Sequence, residues 1–102
     1  MKRLSDQQVT VVARRARALG DATRVHIVEL LGRSEQHVGQ IAVTLALQPS
    51  TASTHLQVLF HAGLVERRRA ASSVIYSVAD DELVEWCRYL GAAHLSSYMH
   101  RS

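Results

Sequence analysis

Small hydroxyl side chains are concentrated in one short stretch near the middle of the chain. The apolar pattern of residues 38–65 predicts two helices joined by a short turn and followed by a strand. At its N-terminal end the second helix would carry Ser50, Thr51, Ser53, Thr54 and His55. Ser and Thr both donate and accept hydrogen bonds, as recognition of base edges and phosphates requires. In a small basic chain this pattern favours a helix that reads DNA.

The positive charge is unevenly distributed. The chain has 102 residues, enough for one domain, and a formal net charge of +3. Residues 1–30 carry six Lys or Arg against three acidic residues, and residues 49–78 carry three Arg against one Glu. Residues 79–102 reverse the balance, with four acidic residues against two Arg. The first two segments therefore suit an anionic partner, whereas the last does not.

Several classes of protein do not fit this sequence. Cys87 is the single cysteine, so an intrachain disulfide cannot form, which fits a reducing cytosol. No apolar segment follows the start MKRLSDQQ, as a signal peptide requires, and no run approaches the ~20 apolar residues of a membrane span. The chain also lacks a Gly-rich phosphate loop, a nucleophile elbow and an HExxH motif. We expect a cytoplasmic protein that is not an enzyme.

Periodicity predicts two helices in the first third of the chain. Residues 6–19 form an amphipathic helix with Asp6 as its cap. The second helix begins after Asp21 and ends at Gly32. Off the apolar stripe of the first helix lie Arg14, Arg15 and Arg17.

The remaining elements follow in quick succession. The chain continues with a polar loop containing a very short strand (33–37), a third helix (38–46), a turn (46–49) and a fourth helix from Pro49 to about Ala62. A hairpin, Leu64–Arg69 and Val74–Val78 around the tip Ala70–Ser73, precedes a last helix from Asp80 and Asp81 to about His100. The fold class is mainly α with a small β-hairpin wing: a single winged helix-turn-helix domain, residues 1–102.

Five short motifs support a family resemblance. They are ALGDATR (18–24), VGQIA (38–42), STASTHL (50–56), AGLV (62–65) and IYSV (75–78). In order and spacing they resemble the ArsR/SmtB family of bacterial metal- and stress-sensing repressors over roughly residues 15–85. The resemblance implies a homodimer joined through the first and last helices. It also implies that the dimer binds a palindromic operator in the bacterial nucleoid and is released by an effector.

The resemblance assigns DNA contacts to the fourth helix. The free N–H groups and positive dipole of a helix N-terminus favour phosphate. The predicted contacts are Ser50, Ser53, Thr54 and His55, with Gln57 reaching a phosphate and Gln48 and Thr51 flanking them. Two alternatives stay open: Ser50 and Thr51 cap the helix, or His55 packs beneath it.

Three consecutive arginines lie on the first wing strand. Strand alternation places Arg67 and Arg69 on one face and Arg68 on the other, so at least one face presents guanidinium groups to phosphate. An ordinary solvated edge strand is the alternative. The tip, Ala70–Ser73, lacks the Gly and Arg that the family usually has there.

The last helix carries the candidate effector residues. Leu83, Cys87, Leu90 and His94 form a stripe that suits burial against the same helix of a second chain. The family's thiolate site at the third helix has no counterpart, because residues 37–39 read His-Val-Gly.

The resemblance implies a second type of metal site across the paired last helices. The candidate ligands are Asp80, Glu82, His94 of the partner subunit and His100, an oxygen and nitrogen set for Zn or Ni. The match departs from the family, because His94 falls one residue after the expected position. An interface histidine with a hydrogen-bond partner is the alternative for His94. Cys87 is a redox candidate, through an intersubunit disulfide or thiol oxidation, or else a small buried residue.

Two functions therefore compete on the sequence. The first is a dimeric repressor with double-stranded DNA as its partner, whose effector is a metal, a thiol-redox signal or absent. The second is a winged-helix module that binds protein and not DNA. The first predicts an affinity for DNA that falls steeply with salt, and the second does not.

Overall fold

The computed structural model describes residues 2–92, which form five helices and three strands. In chain order these are α1 Asp6–Ala18, α2 Ala22–Arg33, β1 Gln36–His37, α3 Val38–Thr44, α4 Pro49–His61, β2 Val65–Ala70, β3 Ser73–Val78 and α5 Asp81–Ala92. The predicted order of elements is confirmed, including the very short strand before α3. The expected continuation of α5 to His100 lies outside the described residues.

The three strands form one antiparallel sheet in the order β1-β3-β2. The β2–β3 register pairs Val65 with Val78 and Arg67 with Tyr76, and closes at Ala70 opposite Ser73. The turn is therefore shorter than the predicted tip and consists of Ala71 and Ser72. Ala71 has a φ of 55°, a left-handed conformation that hairpins usually give to glycine or asparagine.

The core lies where α2, α3 and α4 meet the sheet. The largest fully buried side chains lie there: Ile27, Val28, Ile41, Leu56 and Leu59. Each lies on the apolar stripe of its helix, so the 3.6-residue periodicity of the sequence directly specifies which faces pack. Tyr76 of β3 and Val84 of α5 close the core from the other side. The core thus fixes α4 against α2 and α3.

The ends of three helices differ from the sequence predictions, and of these α3 ends at Thr44 rather than at residue 46. Asp6 is wrong as the cap of α1: Ser5 is the N-cap, and its hydroxyl accepts from the Gln8 amide while the Gln8 side chain accepts from the Ser5 amide. This reciprocal pair satisfies two amides at once, which a single Asp cannot do. Gly32 is wrong as the end of α2, which continues to Arg33 with Ser34 as its C-cap.

Gly32 instead serves a close approach between α2 and α5. A Cβ atom at this position would lie 2.7 Å from a methyl carbon of Val84. The glycine therefore allows α5 to pack tightly across α2. Within residues 2–92, none of the helices combines the length and the apolar character that crossing a bilayer requires.

Candidate nucleic-acid interface

The N-terminus of α4 is open to an external ligand. Gln48 is the N-cap residue, and its side chain makes no capping hydrogen bond. Pro49 at the first position has no amide hydrogen, and the next two amides, of Ser50 and Thr51, have no acceptor within the helix. The alternative that Ser50 or Thr51 caps the helix is therefore wrong. Both side chains are exposed beside the free amides.

The polar side chains of α4 form one exposed strip. Gln48, Thr54 and Gln57 are exposed, as are Ser50 and Thr51, whereas Ser53 is half-buried. The Thr54 hydroxyl donates to the Ser50 carbonyl oxygen at 3.0 Å. Its proton is thus used within the helix, and its lone pairs stay available to a donor such as a base amino group.

His55 lies beneath the strip rather than on it. It is half-buried, and its Nδ1 atom lies 3.2 Å from Nη1 of Arg24. A guanidinium only donates, so Nδ1 of His55 is the acceptor in this contact. Arg24 also donates from Nε to the Ala18 carbonyl oxygen at 2.6 Å. This chain of contacts favours the packing alternative for His55, and its DNA contact stays a prediction.

Arg24 was not singled out as a functional position from the sequence, although it ends the first of the five motifs. It joins the end of α1 to α2 and α4 through the two contacts just described. The Arg24 amide also donates to the Asp21 carboxylate at 3.1 Å, and this hydrogen bond lowers the pKa of Asp21. The ALGDATR motif therefore connects the end of α1 and the start of α2 to α4.

The wing arginines separate as strand alternation predicts. Arg67 lies opposite the buried Tyr76, so Arg67 and Arg69 share the face of the sheet that is turned toward α4. The guanidinium of Arg67 stacks over the Phe60 ring, 3.8 Å from its centre. Arg68 points to the opposite face and forms an ion pair with Glu35. All three arginines are exposed. Phosphate contact by Arg67 and Arg69 stays a prediction, whereas the ion pair with Glu35 on the opposite face disfavours that role for Arg68.

The described part of the candidate metal site does not assemble a ligand set. The Asp80 carboxylate accepts from the Glu82 amide at 2.9 Å and so caps α5. Within residues 2–92, no three His, Cys, Asp or Glu side chains are grouped as a metal ion requires. His94 and His100 lie outside the described residues. The metal assignment therefore gains no support from Asp80 and Glu82.

Cys87 is half-buried against the core. Burial raises the pKa of its thiol, which disfavours the reactive thiolate. This environment favours the packing alternative, and the redox role stays a prediction.

Helices α1 and α5 leave a large apolar surface uncovered. Ala18 is the buried residue of α1 and Val84 that of α5 among the described positions. Side chains exposed by 46% to 64% on these helices are Val9, Val12, Trp86, Tyr89 and Leu90. A groove of about 590 Å³ runs between the helices, lined by Val12, Leu19, Leu83 and Trp86 among others. Such a surface is typical of one that packs against another protein.

Comparison with known proteins identifies the family. Residues 21–67, from the cap of α2 to the wing, match the family model described as "Bacterial regulatory protein, arsR family". The homodimeric winged helix-turn-helix DNA-binding domain Mb0332 of Mycobacterium bovis superposes with a TM-score of 0.81. It is 33% identical to this chain, over 93% of this chain and 94% of that domain. This chain belongs to the ArsR family.

Other relatives match over shorter portions of their length. The cadmium metal-sensor CmtR of Mycobacterium tuberculosis has a TM-score of 0.68 and 36% identity, over 81% of this chain and 86% of that one. The transcriptional regulator Rv0324 of the same organism is 38% identical over 71% of this chain, which spans 32% of Rv0324. The biofilm growth-associated repressor of Agrobacterium fabrum is 31% identical over 76% of this chain, which spans 66% of that repressor. The chain therefore spans about one third of the length of Rv0324 and about two thirds of the length of the Agrobacterium repressor.

Proposed function

We propose that this protein is a transcriptional repressor that binds a palindromic DNA operator as a homodimer and is released by an effector. The observation that carries the proposal is the open, hydroxyl-lined N-terminus of α4, in a helix that the wing arginine Arg67 also contacts through Phe60. A major groove about 12 Å wide admits a helix, and free helix amides and guanidinium groups both bind phosphate. The relative Mb0332 is named as a homodimeric DNA-binding domain.

The proposed dimer buries the apolar surfaces of α1 and α5. Both helices are amphipathic, and each buries one residue in the chain's own core, Ala18 of α1 and Val84 of α5, while apolar side chains on the rest of each helix face solvent. Two copies related by a twofold axis would cover both exposed faces with the same patch. The axis would also set the separation of the two α4 helices, which must reach major grooves one helical turn, about 34–36 Å, apart.

The test of DNA reading is the double variant Ser53→Ala with Thr54→Ala. It removes two hydroxyls from α4 and leaves the core residues Ala52 and Leu56 in place. We expect affinity for an operator isolated by selection from random duplexes to fall at least about tenfold, since a good base contact is worth about 1–3 kcal/mol. The measurement is fluorescence anisotropy, with dimer mass by sedimentation as the control. Unchanged affinity would overturn α4 as the reading helix.

The effector is proposed as a metal ion or another stress signal. CmtR, the cadmium metal-sensor, is a relative in which a metal is named. The test is release of the operator against a panel of Zn, Ni, Cd, Cu, arsenite and an oxidant. Release by one metal, lost in Asp80→Ala, would support the α5 site. Release by the oxidant, lost in Cys87→Ser, would support a thiol signal, and no release would indicate a regulator that responds to neither. Such a repressor acts in the cytoplasm, at the nucleoid.

A further inference from the structure

A second, basic cleft lies between α1 and the C-terminal half of α4. Its volume is about 460 Å³. Its walls are formed by Arg14, Arg17, Ala18, Arg24, Thr54, Gln57, Val58, His61 and Ala62. Three arginines line it, and none of these lining residues is acidic. Arg14, Arg17 and His61 belong to none of the sites predicted from the sequence.

The arginines of α1 point in two different directions. Arg14 and Arg17 lie about one turn apart and line this cleft, whereas Arg15 lines the apolar groove beside α5. Arg24 is held at the cleft wall by the Ala18 carbonyl oxygen and His55. Within residues 2–92 the ion pairs are formed by Arg33, Arg68 and Arg88. Arg14 and Arg17 are therefore exposed cations without a carboxylate in the described part of the chain.

The cleft continues the polar strip of α4. Ser50, Thr54, Gln57 and His61 follow one another at spacings of four, three and four residues, so they lie along one face of the helix. These side chains begin at the open N-terminus of α4, and the last three line the cleft opposite Arg14 and Arg17 of α1. A DNA strand that borders the groove entered by α4 would pass these two guanidinium groups.

We propose that Arg14 and Arg17 bind backbone phosphates of the DNA, which extends the interface from α4 and the wing onto α1. The inference rests on the proposed function, because it needs α4 to face the duplex. Guanidinium groups bind phosphate through paired N–H donors. The contact carries no sequence information, so it adds affinity equally for all duplexes and adds to the salt dependence of binding.

The test is the double variant Arg14→Ala with Arg17→Ala, titrated with a fluorescein-labelled 30-base-pair duplex of random sequence between 50 and 200 mM NaCl. A dimer presents four of these arginines, and each lost phosphate contact lowers the slope of log K against log salt by about 0.9. We expect the slope to decrease by about 3 to 4 and the affinity at 50 mM to fall at least about tenfold. Arg14→Lys with Arg17→Lys retains the charge, and we expect it to keep the slope within about 1.

A matched control is Arg33→Ala, which removes an exposed helix arginine that pairs with Glu29 away from α4. We expect this variant to bind like the wild type. The inference is overturned if the Arg14 and Arg17 double variant keeps the wild-type slope while the wild type binds the duplex. It is also overturned if sedimentation shows that the weaker binding comes from loss of the dimer, because the arginines would then pair with a second chain. A wild type that binds no duplex at 50 mM salt would refute the proposed function itself.

Discussion

At the scale of single residues, glycine shows how one residue type serves different purposes. Gly63 follows α4 with a φ of 77°, a conformation that residues with a side chain rarely adopt. A glycine at the end of a helix pattern therefore predicts the helix end from the sequence alone. Gly32 looks the same in sequence but lies inside α2, where it makes room for Val84 of α5. The two helices are distant in sequence, so only the tertiary packing reveals this role.

Gly32→Ala is expected to destabilise the fold. Its Cβ would lie 2.7 Å from a Val84 methyl carbon, and overpacking of this kind costs about 1–3 kcal/mol. The better helix propensity of alanine returns up to about 1 kcal/mol, so we expect a net loss of about 1–2 kcal/mol in urea unfolding monitored by circular dichroism. Gly39→Ala is the control, because nothing lies within 4 Å of a Cβ there. Equal stability of the two variants would contradict the close approach.

For His55, the local sequence does not decide between a DNA contact and packing under the helix. Its position on α4 allows either a DNA contact or packing under the helix, because its side chain lies between the buried and exposed faces. The decision depends on Arg24, which is 31 residues earlier and reaches His55 only in the folded chain. Local patterns locate the hydroxyl residues of α4 well, but they do not show which neighbour fixes them.

At the scale of elements, the helices were predictable because each repeats an apolar stripe between strong end signals. Pro49 and Gly63 bracket α4 in sequence, and α4 runs from Pro49 to His61 in the structure. The ends were less predictable where several residues can cap. Ser5 and Asp6 are both good caps, and the paired bond with Gln8 decides in favour of Ser5. The short turn at Ala71 was also missed, since nothing in its composition favours a left-handed φ.

The wing is expected to bind phosphate through one face only. Arg67→Ala with Arg69→Ala should weaken binding to all duplexes by a similar factor and lower the salt slope by about 2 to 4 for a dimer. Anisotropy titrations on a selected operator and a random duplex measure both quantities. Arg68→Ala is the matched control, since Arg68 lies on the other face and pairs with Glu35. Loss of sequence preference with an unchanged slope would refute a phosphate contact.

The N-terminus of α2 is expected to give a defined acid dependence. The hydrogen bond from the Arg24 amide holds the pKa of Asp21 below its ordinary value of 3.8. A lowered carboxyl pKa adds stability above pH 3.8, and this contribution is lost as the pH falls through the folded-state pKa. Asp21→Asn keeps a capping oxygen without the charge. Denaturation of both proteins at several pH values should show the wild-type advantage shrinking below pH 3.8, and a constant difference would argue against this linkage.

At the scale of the whole molecule, a single chain leaves apolar surface on α1 and α5 uncovered. The core holds α4 against α2, α3 and the sheet, while α1 and α5 bring apolar side chains to the surface. Charge is separated in the same way: Arg14 and Arg17 of α1 and Arg67 of the wing lie beside α4, whereas acidic residues begin α5. This division was visible in the sequence as a difference in charge between segments. The shape of the uncovered groove and the basic cleft required the folded chain.

The most direct test of the account is the mass of the protein on DNA. Sedimentation of a labelled 30-base-pair duplex with the wild type at 50 mM NaCl should show one complex, heavier than the duplex by two chains of 11.3 kDa each. Trp86→Ser with Leu90→Ser, which removes apolar side chains from the exposed face of α5, should sediment as a single chain and bind at least about tenfold more weakly. A wild type that stays a single 11.3 kDa chain and leaves the duplex unbound would contradict the account.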